Sequence, residues 1–371
     1  MTETQNLVVE VETQQAINEL ARALAALRIR ASIETCTTFG PLRKYTIKLD
    51  GLTDFSKVEK AGKNLKVQLG AFSTPLIYHI SGTRSIGIDV MFGEHPIVDF
   101  AELAAKVDKS TLGLLSVLLG ATEVAQPLVV DLAAMPHLLC AGTTGSGKSM
   151  CLHAIIESLT GGLGPRNCTL ALIDPKQVEF TRYHHLDQLA YDVATSVDQA
   201  AEVMVDVRAR MWRRLETLSK AGAKDIFEYR ANGGKMKDLV VIIDEIAELM
   251  RAKKSKFQEA MLSVAEKGRA AGVHLVAATQ HPSRDVITGP IKANFPSKIA
   301  LQVSTGVHSK VILDATGAEH LNGRGDAFLT DNKHDLLRFQ GAFVQLKEAK
   351  PLPKPKEKPV GFLGRLLNRG K

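Results

Sequence analysis

Residues 142–149 read Gly-Thr-Thr-Gly-Ser-Gly-Lys-Ser, and this segment constrains the fold more than any other part of the chain. It matches the P-loop pattern, in which two glycines separated by four residues precede lysine and then serine or threonine. An apolar run, 137–140, leads into the segment, and a helical stretch, 150–159, leads out of it. The sequence therefore predicts a strand, a loop and a helix whose backbone N–H groups and N-terminal dipole bind phosphates.

Each residue of the predicted loop has an expected role in binding ATP. Lys148 is expected to reach the β- and γ-phosphates, and Ser149 to give its hydroxyl to Mg²⁺. The residues expected to wrap the phosphates are Gly142, Thr143, Thr144, Gly145, Ser146 and Gly147.

A second apolar run, 239–243, ends in two carboxylates, Asp244 and Glu245. Open α/β sheets bind ligands at the carboxyl ends of their strands, which is where these side chains are expected to lie. We expect Asp244 to hold the Mg²⁺ shell and Glu245 to polarise the attacking water. A nucleotide switch without turnover would not need Glu245, so the pair favours hydrolysis.

A third apolar run, 273–279, is followed by Gln280 and preceded by Arg269. Gln280 is expected either to sense the γ-phosphate and orient water or only to cap the strand. From spacing alone, Arg269 is a surface arginine.

Apolar runs that alternate with helical stretches from about residue 125 indicate a parallel sheet covered on both faces. The predicted fold is α/β: a RecA-like P-loop ATPase domain with a mostly parallel sheet, preceded by a smaller α/β domain. We expect the smaller domain at 1–120, the ATPase domain at 121–346, and a basic Pro/Lys-rich linker with a short amphipathic tail at 347–371.

Charge and composition say less about function than the motifs do. The chain has 371 residues and a net charge of +7, but residues 347–371 hold eight Lys/Arg against two Asp/Glu, so the body is nearly neutral. No run of about 18 apolar residues and no signal peptide is found, so we expect a cytoplasmic protein with no integral membrane segment. The four cysteines lack zinc or redox spacing and are expected to be reduced.

The ordered series of motifs resembles the motor domain of the FtsK/SpoIIIE DNA translocases, within the FtsK–HerA group. The resemblance covers residues 126–344, approximately, and the matching motifs follow one another closely along this range. Beyond the P-loop, the matching segments are 135–139, 173–176 with Glu179, 244–250, 269–275, 278–280, 285–294, 312–314, 323–326 and 341–344.

The resemblance implies a homo-oligomer, expected to be a hexameric ring, with ATP between subunits and double-stranded DNA in the pore. In that frame Arg269 matches an arginine finger that acts on a neighbouring subunit, and Gln280 matches a sensor. Lys292 and Lys310 match basic pore positions that contact DNA phosphates independently of sequence.

The chain departs from the family pattern at two positions near the expected DNA path. His281 follows the sensor where arginine is usual, and Gly306 stands where a basic residue is usual. We assign His281 to the DNA contacts and expect weaker, more salt-sensitive DNA binding than in typical members. The family's membrane-spanning N-terminus and its winged-helix DNA reader are also not recognised, and the tail is expected either to dock on a partner or to fray.

Three functions remain open at this stage. The first is an ATP-driven duplex-DNA translocase, and the second is a viral genome-packaging or conjugative DNA pump with the same ATP chemistry. The third is an ATP-gated DNA clamp without stepping, against which the pair Glu245 and Arg269 argues.

Overall fold

The computed structural model describes residues 3–346, apart from 81, 95, 123, 164–167, 252–255, 332 and 335, and only the backbone of 3–12. The predicted tail, 347–371, lies outside the described residues.

The first part of the chain forms a four-stranded antiparallel sheet with helices packed on it. The sheet has the order β1-β2-β4-β3. Its core holds Leu20, Tyr45, Ile47, Leu65 and Ile88, each with at most 1% of its surface exposed. In chain order the elements are α1 (Glu3–Ala26), β1 (Ala31–Phe39), β2 (Leu42–Leu49), α2 (Phe55–Lys60), α3 (Gly62–Leu69), β3 (Leu76–His79) and β4 (Ser85–Met91).

The rest of the described chain builds around a ten-stranded sheet. Its elements up to the P-loop helix are β5 (Val98–Asp99), α4 (Phe100–Ala104), β6 (Ser116–Thr122), β7 (Pro127–Asp131), β8 (His137–Ala141) and α5 (Lys148–Glu157). Those that follow are β9 (Cys168–Ile173), α6 (Val197–Lys220), α7 (Ile226–Ala231), β10 (Asp238–Ile243), α8 (Ile246–Arg251), α9 (Lys256–Lys267), β11 (Val273–Thr279), α10 (Gly289–Asn294), β12 (Ser297–Leu301), α11 (Gly306–Leu313), β13 (Asp326–Thr330) and β14 (Leu337–Phe343).

The sheet combines a parallel half with an antiparallel half. The five parallel strands run in the order β12-β8-β11-β10-β9, and β8, β10 and β11 contain the three apolar runs named above, 137–140, 239–243 and 273–279. The strands β13, β14, β6 and β7 continue the sheet in antiparallel pairs, and β5 pairs in parallel with β14. The parallel core and the P-loop fold are confirmed, and the antiparallel extension was not anticipated.

The parallel strands are buried on both faces, which explains their uninterrupted apolar sequence. Alternate residues of β10 point to opposite sides. Leu239, Val241 and Ile243 pack toward α6 and α9, and Val240 and Ile242 pack toward α5. Every side chain of β10 is therefore excluded from water, and after Asp238 at its start the next polar residues come where the strand ends.

The predicted boundary at residue 120 falls inside β6, whose residues pair within the larger sheet. The strands change sheets earlier, between β4 and β5, so a division of the chain into domains belongs between Met91 and Val98. The division itself remains a proposal.

Candidate functional site

The P-loop adopts the conformation that a phosphate cradle requires. Gly145 and Gly147 have φ angles of 79° and 102°, in the left-handed region that glycine tolerates best. A Cβ at Gly147 would lie 2.5 Å from the backbone nitrogen of Gly325, so this position also needs glycine for close packing. The loop is tied to neighbouring strand ends, because the N–H of Thr143 donates to the carbonyl of Gln302 at 2.9 Å. The cradle is thus held before any phosphate arrives.

Lys148 begins α5 and turns its ammonium toward the end of β10. Its side chain is buried, and Nζ donates to the backbone carbonyl of Asp244 at 2.8 Å and to the Asp244 carboxylate. Burial raises the pKa of Asp244, and the charge of Lys148 opposes this increase without cancelling it. The structure therefore brings together Lys148 and Asp244, as the sequence predicts for the two halves of an ATP site.

Glu245 is 1% exposed and is held by four donors. Its Oε1 accepts from Thr279 Oγ1 at 2.7 Å and from the N–H of Ala247 at 3.1 Å. Its Oε2 accepts from the N–H of Gln280 at 3.0 Å and from Lys176 Nζ at 3.4 Å. Burial alone would raise the pKa of Glu245, but the hydrogen bonds outweigh burial, and the pKa lies below its usual range. The carboxylate is therefore ionised at neutral pH and fixed in orientation.

Gln280 connects the third strand end to the P-loop. Its backbone N–H donates to Glu245, and its side-chain Oε1 accepts from Thr144 Oγ1 at 3.2 Å. This geometry is more than a strand cap requires, because one residue touches both halves of the candidate site. His281 follows it, exposed, with its N–H donating to Thr279 Oγ1 at 3.0 Å.

Glu179 joins the site, although the sequence assigns it no role beyond its place in a family motif. Its Oε1 accepts from Ser149 Oγ at 2.6 Å, and its Oε2 lies 3.2 Å from His153 Nε2. Hydrogen bonding to His153, against a raising effect of burial and with further help from Ser149, lowers the pKa of Glu179 to about 2. The buried carboxylate of Asp174 shapes the loop that brings it here, by accepting from the N–H groups of Glu179 and Phe180 at 2.9 and 2.8 Å.

The residues around Ser149 fit a hydrated Mg²⁺ ion. The Ser149 hydroxyl and the carboxylates of Asp244, Glu179 and Asp174 offer the hard oxygen atoms that Mg²⁺ prefers. Asp174 Oδ1 is buried and has no hydrogen-bond partner among the described residues. No group of three His, Cys, Asp or Glu side chains within the described ranges could hold a metal alone. Such a set suits Mg²⁺, which usually keeps several waters and binds with phosphate oxygens.

A cavity of about 610 Å³ opens directly above the P-loop. Its lining includes the polar residues Lys148, Ser149 and Gln280 and the apolar residues Ile97 and Phe343. Ile97 is 80% exposed and Phe343 is 44% exposed, so the cavity lining offers apolar surface for a nucleotide base.

Arg324 also lines this cavity, and no role was predicted for it beyond its place in the matching segment 323–326. Its N–H donates to the carbonyl of Gly145 at 3.2 Å, and the next residue, Gly325, donates to Ser146 at 2.8 Å. Its guanidinium pairs with Glu94 at the cavity mouth. The signal in the sequence was the Gly-Arg-Gly-Asp segment, whose glycines permit this close approach to the P-loop.

Arg269 lies away from the P-loop of its own chain. It precedes β11 and is exposed, whereas Gln280 follows the same strand and lies in the site. Seven strand residues span roughly 20 Å, so one β11 strand separates Arg269 from its own candidate site. Within a single chain the structure does not bring Arg269 together with Lys148 and Glu245.

The predicted DNA contacts divide into two places. Lys292 and Lys310 line one surface depression of about 460 Å³, together with Arg284. Lys292 Nζ is paired with Asp314 at 2.5 Å, and Lys310 is exposed. His281 is not among the residues that line this depression and lies instead beside the candidate ATP site.

Within the described ranges, every helix is too short or too polar to span a membrane.

The fold is similar to that of solved P-loop ATPases. The pCW3 conjugation coupling protein TcpA, solved in monomer form with ATPγS, superposes with a TM-score of 0.62 at 24% sequence identity, over 88% of this chain and 94% of that one. The cytoplasmic domain of the Thermomonospora curvata type VII secretion ATPase EccC gives a TM-score of 0.58 at 24% identity, over 70% of this chain and 33% of that one. These two structural similarities show that the chain has the fold of these ATPases.

Sequence comparison identifies closer relatives. DNA translocase SftA of Bacillus subtilis (strain 168) is 36% identical over 349 residues, which are 91% of this chain and 36% of SftA. DNA translocase SpoIIIE of the same organism is 37% identical over 340 residues, which are 88% of this chain and 43% of SpoIIIE. The chain thus spans less than half the length of these relatives. The model of the FtsK/SpoIIIE family matches residues 103–284. Together with the P-loop geometry, these matches show that the chain belongs to the FtsK/SpoIIIE family.

Proposed function

We propose that this chain hydrolyses ATP and uses the energy to move along double-stranded DNA. The observation that carries the proposal is the state of Glu245. A buried carboxylate that four donors keep ionised and fixed is suited to polarise a water molecule. A nucleotide switch would have no need of this arrangement.

The proposed ATP chemistry assigns one task to each part of the site. The P-loop N–H groups and Lys148 bind the β- and γ-phosphates, and Lys148 moves from its contact with Asp244 toward the new negative charge. Ser149 and Asp244 would hold Mg²⁺, which neutralises charge on the phosphate oxygens when it is bound. Glu245 accepts a proton from the attacking water, and Gln280 orients that water between Glu245 and Thr144.

We further propose that the site is completed by a second copy of the chain. Transition-state charge in P-loop ATPases is commonly stabilised by an arginine supplied in trans, with a rate effect of about 10³ or more. Arg269 is exposed at the edge of the sheet opposite to the site, so it is available to a neighbour and remote from its own ATP. In a closed ring, each subunit can supply its Arg269 to the ATP site of the next subunit, so that every site is complete. We propose that this ring is a hexamer.

Duplex DNA is the proposed substrate of this ring. SftA and SpoIIIE are named DNA translocases, and both match the chain over most of its length. The depression that Arg284, Lys292 and Lys310 line offers cations for phosphate contacts. Such contacts do not read sequence, which suits a motor that moves on any duplex.

The test is ATP turnover with and without linear plasmid DNA, together with displacement of a third strand from a triplex at a distant end of the DNA. We expect DNA to stimulate turnover, and Lys148→Ala to abolish turnover and displacement. Tight DNA binding with negligible turnover would instead support an ATP-gated clamp. Turnover that ignores DNA would contradict the proposed substrate.

A further inference from the structure

The loop that carries Arg269 is held by hydrogen bonds at each of its carbonyl groups. The carbonyl of Arg269 accepts from the N–H of Gly272 at 3.2 Å, and the carbonyl of Ala270 accepts from the N–H of Ile226 at 2.8 Å. The carbonyl of Gly272 accepts from the N–H of Leu239 at 2.9 Å. The Arg269 side chain is therefore exposed, while the backbone of its loop is held in place by hydrogen bonds.

Arg214 provides two more of these hydrogen bonds from a different helix. Its Nη1 donates to the carbonyls of Ala271 and Gly272, at 3.0 Å in both cases. The residue lies on α6, which packs on α9, and α9 runs directly into the loop. The Nη1 amino group has two N–H bonds, which can donate to the two neighbouring carbonyls, and the rigid plane of the guanidinium fixes their direction.

The environment of the Arg214 guanidinium is unfavourable for a positive charge. Burial lowers the pKa of Arg214, and the nearby Asp238 compensates only in part. Asp238 is itself buried and is paired with Arg230 at 2.7 Å. Gly272 is closely packed, because a Cβ there would lie 2.3 Å from Ile226 Cδ1 and 2.6 Å from Asp238 Oδ1. A charged side chain is thus kept where an apolar one would avoid the desolvation cost.

We propose that Arg214 is a positioning residue for Arg269, which fixes the loop so that the Arg269 guanidinium projects toward the ATP of the next subunit. This inference rests on the proposed function. An arginine that stabilises transition-state charge must be held within a fraction of an ångström, and a misplacement of about 1 Å can cost about 100-fold in rate. Arg214 therefore acts on a neighbour's catalysis without touching the substrate.

Single substitutions give the first test. Arg214→Met keeps an unbranched apolar stem and removes the charge and both hydrogen bonds, so we expect kcat for ATP to fall by about tenfold to 100-fold. Arg214→Lys keeps the charge and an N–H donor group on a shorter and more flexible side chain, so it should recover part of this loss. ATP affinity, measured with a fluorescent analogue, should stay unchanged in both variants. Arg213→Met on the same helix is the matched control, because the Arg213 side chain is 66% exposed, and it should leave kcat unchanged.

Mixing of subunits separates a role in trans from a role in folding. Lys148→Ala subunits lack a working P-loop but carry an intact Arg269 loop. Mixed with Arg214→Met subunits, they should raise ATPase activity above the sum of the two separate preparations. The mixture of Lys148→Ala with Arg269→Ala should behave in the same way. Glu245→Gln mixed with Lys148→Ala should show no such gain, because each substitution damages the ATP site of the subunit that carries it.

The outcomes distinguish the inference from the proposed function. If Arg269→Ala is rescued and Arg214→Met is not, or if Arg214→Met has full activity, the positioning role is overturned. If Arg269→Ala is neither impaired nor rescued, the shared site itself is overturned. Thermal melting checks each variant, and if Arg214→Met does not fold, Arg214→Lys takes its place in the mixture and must show the same gain.

Discussion

Among the single residues of the site, the two carboxylates that follow β10 have opposite electrostatic environments. Asp244 lies against Lys148 in a buried position, and burial raises its pKa. Glu245 accepts hydrogen bonds from Thr279 and from two backbone N–H groups, which hold its pKa below the usual range despite burial. These neighbouring carboxylates are thus suited to two different tasks, metal coordination by Asp244 and proton acceptance by Glu245.

Replacement of Glu245 by glutamine tests the second of these tasks. Glu245→Gln keeps the shape of the side chain and removes its negative charge. We expect single-turnover ATP hydrolysis to slow by about 10²- to 10⁴-fold, the range for the loss of a general base. ATP binding should persist. Glu248→Gln, at an exposed position of α8, should leave hydrolysis unchanged. Equal turnover in Glu245→Gln and the unmodified chain would exclude Glu245 as the base.

Glu179 should make stability depend on pH in the acidic range. Its pKa is lowered from 4.5 to about 2, so its contribution is complete above about pH 4.5 and is lost as pH falls toward 2. We expect Glu179→Gln to reduce the loss of unfolding free energy between pH 5 and pH 3, measured by urea denaturation. Glu202→Gln, exposed on α6, is the control and should retain the full pH dependence. An unchanged slope in Glu179→Gln would contradict the assigned environment.

At the scale of elements, the P-loop is supported by a second loop, 323–325, which approaches from the antiparallel half of the sheet. The N–H groups of Arg324 and Gly325 donate to the carbonyls of Gly145 and Ser146. The cradle is therefore shaped partly by residues almost 180 positions away in sequence. Close backbone contact of this kind requires glycine on both sides.

Alanine substitutions at two glycines of the P-loop distinguish backbone strain from a steric clash. Gly145→Ala and Gly147→Ala both place a side chain in the left-handed region, at a cost of about 1–2 kcal/mol. Only at Gly147 would the new Cβ meet backbone, 2.5 Å from Gly325 N, whereas none of the heavy atoms lies within 4 Å at Gly145. We expect Gly147→Ala to lose more unfolding free energy than Gly145→Ala, by about 1 kcal/mol or more. Equal losses in urea denaturation would show that the second loop does not pack as described.

Much of this architecture could be predicted from the sequence, and the reasons are local. The strand β10 is readable because five apolar residues end abruptly in Asp244 and Glu245. The antiparallel strands β13 and β14 were not predicted, since their pairing depends on register with distant segments. Glu179 was overlooked as a site residue because it reaches Ser149 through a loop folded around Asp174, which no spacing rule describes.

At the scale of the whole molecule, the proposed DNA surface is the depression that Arg284, Lys292 and Lys310 line, and Arg269 is not part of its lining. Lys310 is exposed within the depression, whereas Lys292 is already paired with Asp314. Removal of a phosphate-binding cation reduces the dependence of affinity on salt by about one unit of log–log slope. Lys310 should therefore contribute more to DNA binding than Lys292.

We expect Lys310→Ala to weaken duplex-DNA binding uniformly across sequences and to lower the salt slope by about one. Lys292→Ala should have a smaller effect, because its charge is partly neutralised by Asp314. Lys220→Ala, on an exposed turn of α6, should have none. Fluorescence anisotropy between low and physiological salt measures all three. An effect of Lys292→Ala larger than that of Lys310→Ala would contradict the assigned surface.

The central claim is that one subunit's ATP is hydrolysed with the help of another subunit's Arg269. The direct measurement is the specific ATPase activity as a function of protein concentration, with the assembly state followed by analytical ultracentrifugation in the same buffer. The account predicts that activity per chain rises with assembly and that Arg269→Ala stays low at every concentration. A constant activity per chain down to concentrations at which the protein is monomeric would contradict it.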